Sequence, residues 1–150
     1  MARGDLLVFD EALAYMLDGG WEAADEIWVG LVTENNLVDT AAVPAYAAGG
    51  TTNYTAIATA GNYAAGGLLL DTLANCVTEV DGVMTFTDTG ASVTWAQHAS
   101  NPQDADHAVI YNDTQANYCI AFIDLDGPID MQAGALTITW HATGMFTVNR

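Results

Sequence analysis

A chain of 150 residues, 51% of them apolar, is long enough for one domain to bury a core without a metal or a disulfide framework. Nineteen acids oppose two bases, Arg3 and Arg150, and there is no lysine, so the formal charge is −17 at pH 7. That charge gives no surface able to neutralise phosphates, which argues against DNA, RNA and anionic membrane as partners, and no apolar run approaches the ~18 residues of a membrane span.

The opening stretch, MARGDLLVFDEALAYML, carries one arginine and then acids among its apolar residues. A signal peptide needs an uncharged core at that point, so the chain is expected to be made in a cytoplasm and kept intact. Asp5 is a suitable N-cap, and Leu6, Phe9, Leu13, Met16 and Leu17 recur at helical spacing until Gly19-Gly20, which predicts a helix over about residues 6–18. Ile27 to Val32 reads as a strand.

Residues 35–67 are rich in Ala, Gly, Thr and Asn, hold few acids, and carry tyrosines at Tyr46, Tyr54 and Tyr63. Irregular segments longer than about 12–15 residues are uncommon inside compact domains and tend to be functional. The expectation is a long loop or arm that lies on a neighbouring subunit or on a capsid, with the tyrosines as contact area, against the plainer reading of a surface loop. Removing part of it, such as Thr40 to Thr52, would then leave the fold intact.

Strands are expected at Val83–Thr87, at Ser92–Trp95, at Val109–Tyr111 before the turn Asn112-Asp113-Thr114, and at Tyr118–Leu125 before Asp126-Gly127-Pro128. Between Tyr118 and Ile123 both faces are apolar: Tyr118, Ile120 and Phe122 alternate with Cys119, Ala121 and Ile123. Such a strand must be covered on both sides, by the helix or by a neighbouring subunit, which makes Tyr118, Ile120 and Phe122 candidate interface residues. Ala135–Trp140 alternates cleanly, with Leu136, Ile138 and Trp140 on one face and Thr137, Thr139 and His141 on the other. A turn around Thr143-Gly144 is read as closing the last pair of strands. Six or seven strands with one clear helix predict a mainly β, single-domain antiparallel β-sandwich with jelly-roll-like or Greek-key connections.

No catalytic constellation stands out. The serines, Ser92 and Ser100, lie outside any Gly-x-Ser-x-Gly elbow, and His98, His107 and His141 are scattered. Trp28, Trp95 and Trp140 could serve as sugar platforms, but their strand positions favour core packing. Asp124, Asp126 and Asp130 gather carboxylates at a turn that could suit Ca²⁺, without EF-hand spacing; a hydrated acidic turn is the simpler reading. Cys76 and Cys119 are too few for a disulfide framework. The reading is therefore of a protein without catalytic, cofactor or metal residues.

The phrase AVIYND (108–113), a strand, a Gly-Pro turn, ALTITW (135–140) and GMFTV (144–148) follow one another in order. In this order and spacing the last third of the chain resembles a family of small structural proteins of tailed bacteriophages, often read as head-decoration or cement proteins. The opening helix, EIWVGLVT (26–33) and GNYAAGG (61–67) match more loosely. The resemblance implies a non-enzymatic protein of the virion, on the outer capsid surface, whose partners are the major capsid protein and other copies of itself, as a homotrimer. The alternative is a receptor- or glycan-binding module of a head or tail fibre.

Overall fold

The structure, a computed structural model, describes residues 4–17, 20–34, 37, 45–47 and 50–149. The elements in chain order are β1 (Leu6–Val8), α1 (Asp10–Leu17), β2 (Glu26–Glu34), β3 (Tyr54–Ala56), β4 (Leu68–Thr72), α2 (Leu73–Cys76), β5 (Val77–Val80), β6 (Val83–Phe86), β7 (Ser92–Trp95), β8 (Ala105–Asn112), β9 (Tyr118–Ile129), β10 (Leu136–Thr139) and β11 (Phe146–Asn149). The protein is mainly β, and every strand pairing among the described residues is antiparallel.

The largest sheet runs β1-β9-β8-β2, and the far edge of β2 is shared by β3 at one end and β4 at the other. The β8–β9 hairpin is thus inserted between the first two strands of the chain. The connection from β1 to β2 crosses over it and carries α1, which brings Phe9 and Ala12 onto the hairpin at zero exposure. Asp10 and Glu11 occupy the first turn of α1, where carboxylates suit the helix dipole.

Against the opposite face lie two smaller sheets, β11-β6-β5 and β10-β7. They are one ribbon with a break: β6 continues into β7, β10 continues into β11, and the two halves pair Phe86 with Phe146 and Ser92 with Thr139. Phe86, Val93, Trp95, Leu136, Ile138 and Trp140 point inward against Ile27, Val29, Leu31, Ala108 and Ile110 of the large sheet. This is the sandwich core. On the other face of the large sheet a second cluster gathers Phe9, Val32, Tyr46, Tyr54, Val109, Tyr111, Cys119 and Phe122.

Three expectations are corrected. The helix starts at Asp10, not near residue 6, because Leu6, Leu7 and Val8 pair with Ile123, Phe122 and Ala121 and so close the open edge of β9. The face assignment in β9 shifts at a bulge: Ile110 pairs with Ala121 and Tyr111 with Cys119, which leaves Ile120 as the extra residue. Ile120 and Ala121 therefore share the sandwich core, while Cys119 and Phe122 face α1. The Thr143-Gly144 turn joins no hairpin, since β10 pairs with β7 and β11 with β6. The alternation from Leu136 to His141 is found as expected, with Leu136, Ile138 and Trp140 buried and Thr137, Thr139 and His141 exposed.

Candidate functional site

The residues expected at an interface are mostly core residues of the single chain. Tyr54, Ile120 and Phe122 have no exposure, and Tyr63 and Tyr46 are 1% and 4% exposed. Tyr118 alone is half-buried, with its ring stacked on Tyr15 at 4.3 Å. The reading of the tyrosines as contact area for a neighbour is thereby corrected. The rings of Tyr46 and Tyr54 cover the second face of the large sheet, that of Tyr63 packs in the sandwich core, and the two-sided apolarity of Cys119–Ile123 is covered from within the chain. Of the proposed arm, residues 35, 36, 38–44, 48 and 49 lie outside the described residues, while Tyr54–Ala56 within it is strand β3.

The tyrosines also repair a defect in β2. β3 pairs with Val32–Glu34 and β4 with Glu26–Val29, so no strand lies beside Gly30 and Leu31 on that edge. There the Leu31 N–H donates to the Tyr63 hydroxyl at 2.9 Å, and the Leu31 carbonyl accepts from the Ile57 N–H at 3.1 Å. The Tyr46 and Tyr63 hydroxyls, reaching in from the two clusters, both approach that carbonyl at 3.5 Å. Gly30 makes this possible, because a Cβ there would sit 2.5 Å from the Tyr46 ring. Tyr46 stacks on Tyr111 at 4.4 Å, and the Tyr111 hydroxyl donates to the Gly66 carbonyl at 2.9 Å.

None of these groups is poised for proton transfer. Burial raises the pKa of Tyr46, Tyr54, Tyr63 and Tyr111 above the ordinary phenol value, so all four stay neutral. Burial likewise pushes the Cys76 and Cys119 thiols up to about 12, so neither forms a nucleophilic thiolate near neutrality. The two cysteines lie in clusters on opposite faces of the large sheet and are unpaired.

Two carboxylates among the described residues are buried: Asp88, 7% exposed, accepts the Trp140 indole N–H at 2.8 Å, and Asp25 is 2% exposed at the turn before β2. Burial alone would raise its pKa, but hydrogen bonds from the Asn112 amide (2.9 Å), the Glu22 N–H (3.0 Å) and the Gln115 amide (3.2 Å) together hold it below the usual range. The donors join the turn before β2 to the β8–β9 turn. This is a structural clamp, closed to solvent and filled by its own partners.

His107 is buried in β8 beside Phe122, His98 accepts the Ser100 N–H at 3.1 Å, and His141 bonds Thr143 at 2.7 Å. No three His, Cys, Asp or Glu side chains among the described residues converge as a metal site. At the acidic turn, Asp124 accepts the Asp126 N–H at 2.7 Å, and Asp130 accepts the Gln132 and Ala133 N–H groups at 2.8 and 3.3 Å. Hydrogen bonds from the Gln132 N–H, the Gln103 side chain and the Ala133 N–H lower the pKa of Asp130.

A hollow of about 320 Å³ between α1 and the β5–β6 hairpin is lined by Met16, Trp21, Leu73, Val77 and Met84 and carries no titratable group. Trp95 and Trp140 are buried, whereas Trp28 is half-buried with its indole N–H on the Glu26 carboxylate at 3.2 Å. No family model, curated protein or solved structure matches the chain.

Proposed function

We propose that this chain is a non-enzymatic structural protein of a tailed-phage virion, a capsid decoration or cement protein that stabilises the head through contacts with the major capsid protein. The observation that carries this reading is where the reactive and aromatic side chains go. The tyrosines stacked over the large sheet, both thiols and the Asp25 carboxylate are buried within the fold and taken up by its own packing and hydrogen bonds. What remains outside is a strongly anionic shell, suited to a passive coat that repels nucleic acid and other particles. The order of strand-and-turn phrases in the last third of the chain supports the same reading, and those phrases are the β8–β9 hairpin, β10 and β11.

The test is co-sedimentation with expanded empty capsids. Saturable binding that raises the capsid melting temperature is expected. Absence of binding, together with glycan-array binding that Trp28→Ala abolishes, would instead select the fibre reading, which the half-buried Trp28 favours.

A further inference from the structure

The sandwich has an open seam between β1 of the large sheet and β10 of the ribbon. The Phe9 N–H donates to the Ile120 carbonyl and the Asp124 N–H to the Asp5 carbonyl, both at 3.0 Å, so Asp5, Leu7 and Phe9 turn their backbone groups to β9. Leu6 and Val8 then direct their N–H and C=O groups away from it. On β10 the Trp140 N–H donates to the Ala91 carbonyl at 2.9 Å, which turns Leu136, Ile138 and Trp140 to β7 and leaves Thr137 and Thr139 directing their backbone groups outward. Among the described residues no strand pairs with either edge.

Two hollows of about 140 Å³ each lie in this seam. Both reach Ile123 and Ile138; one extends to Trp140 and Met145, the other back to Ile129 and Leu136. They follow each other along β10, displaced by about two residues, which is the spacing of successive same-side side chains on an added strand. Each is close to the ~150 Å³ of a cavity that holds one benzene ring, room for one apolar side chain. Asp124 lines the second hollow, with Asp5 opposite it in the β1–β9 pair. A sheet edge is usually blunted by a lysine, a proline or a bulge, and β10 has none of these. By contrast, the Thr51 N–H donates to the Tyr54 carbonyl beside β3, the Thr89 hydroxyl reaches the Asp71 carboxylate at β4, and β5 carries Glu79 and turns at Asp81.

We propose that this seam binds an extended segment of another protein, added as an antiparallel strand on β10, with apolar side chains entering the two hollows and a lysine or arginine beside Asp124. The outward backbone groups of Thr137 and Thr139 supply the main-chain hydrogen bonds of such a strand, and the hollows select its alternate side chains. Charge decides whose strand it is. A second copy brings nineteen acids and two basic side chains to a chain of charge −17, whereas a basic segment is drawn to it. The inference does not depend on the virion reading, since any protein that offers such a segment fits the seam.

The test is calorimetric titration of the whole chain, at about 0.15 M salt, with a peptide of about nine residues that alternates valine and lysine, taken up to about 1 mM. Saturable binding is expected, with slowed hydrogen exchange at the Thr137 and Thr139 amides. Thr137 and Thr139 point their side chains to the outer face, so the residues paired with them are the lysines, and it is the lysine amides that bond β10. N-methylation of those amides should weaken binding at least about tenfold, and methylation of the valine amides far less. A peptide of the same composition with valines and lysines in separate blocks should also lose at least about tenfold. Thr139→Pro removes an outward N–H and keeps the bonds to β7, so it should weaken binding to the same extent. The methylated peptides are read on the native chain, so their result stands even where Thr139→Pro fails to fold. Absence of binding, equal binding by the block or lysine-methylated peptide, or unchanged exchange at Thr137 and Thr139 overturns the proposal.

Discussion

At the scale of single residues, two buried tryptophans separate the contribution of a ring from that of its N–H. The Trp140 indole donates to the Asp88 carboxylate at 2.8 Å, whereas the buried Trp95 N–H meets no acceptor. Phenylalanine at position 140 loses ring area and a charge-assisted bond worth about 1.5–3 kcal/mol; at position 95 it loses ring area but also removes an unsatisfied donor. Chemical denaturation should show Trp140→Phe costing about 1–2 kcal/mol more than Trp95→Phe. Equal losses would mean that the Asp88 bond adds nothing. Asp25 yields a pH signature. Its folded pKa is lowered, so its stabilisation is fully present above the unfolded carboxyl value of about 3.9 and is lost as pH falls through the lower folded value. Asp25→Asn turns an amide towards the Asn112 and Gln115 amides and should cost about 2–3 kcal/mol at neutral pH. The gap between native and variant should close as pH drops below about 3.9, and a gap independent of pH would show that Asp25 acts by shape alone.

At the scale of elements, the structure turns on how β2 tolerates an incomplete edge. Gly30 and Tyr46 share one space, so Gly30→Ala should destabilise by about 1–3 kcal/mol through overpacking. In a Tyr46→Leu background, where the ring is already gone, the same change should cost much less; additive losses would deny the contact. Tyr46→Ala alone should cost about 3–5 kcal/mol, as for other large buried rings. Deleting Thr40–Thr52 removes Tyr46 with it, so its melting temperature should fall, contrary to what the composition of the segment suggests. Small residues around Tyr46 look like a loop, and only the stack on Tyr111, distant in sequence, makes it core. The same non-local logic explains what else could not be read from the chain. The alternation of Leu136 to His141 is local and was legible. Leu6-Leu7-Val8 fits a helix or a strand equally, and the open edge of β9 decides. The bulge at Ile120 depends on pairing with β8, and the partners of β10 and β11 lie about forty to sixty residues away.

At the scale of the whole molecule, nineteen acids with two basic side chains make self-repulsion the main variable that solvent can control. A 150-residue domain has a radius of gyration of about 15 Å. At about 0.01 M salt the screening length is ~30 Å, so acids across the whole molecule repel one another; at about 0.15 M it is ~8 Å, and only neighbours do. The melting midpoint should therefore climb steeply over that range of NaCl and more slowly above it, because little unscreened repulsion is left to remove. The unfolded chain holds the same charges farther apart, which is why screening favours the compact state. Choline chloride should match NaCl at equal ionic strength, since bulk screening does not distinguish the cations. A midpoint that is flat in both salts but rises with millimolar CaCl₂ at fixed ionic strength would assign the compensation to bound cations, and the carboxylates around Asp124 and Asp130 would be the first to test.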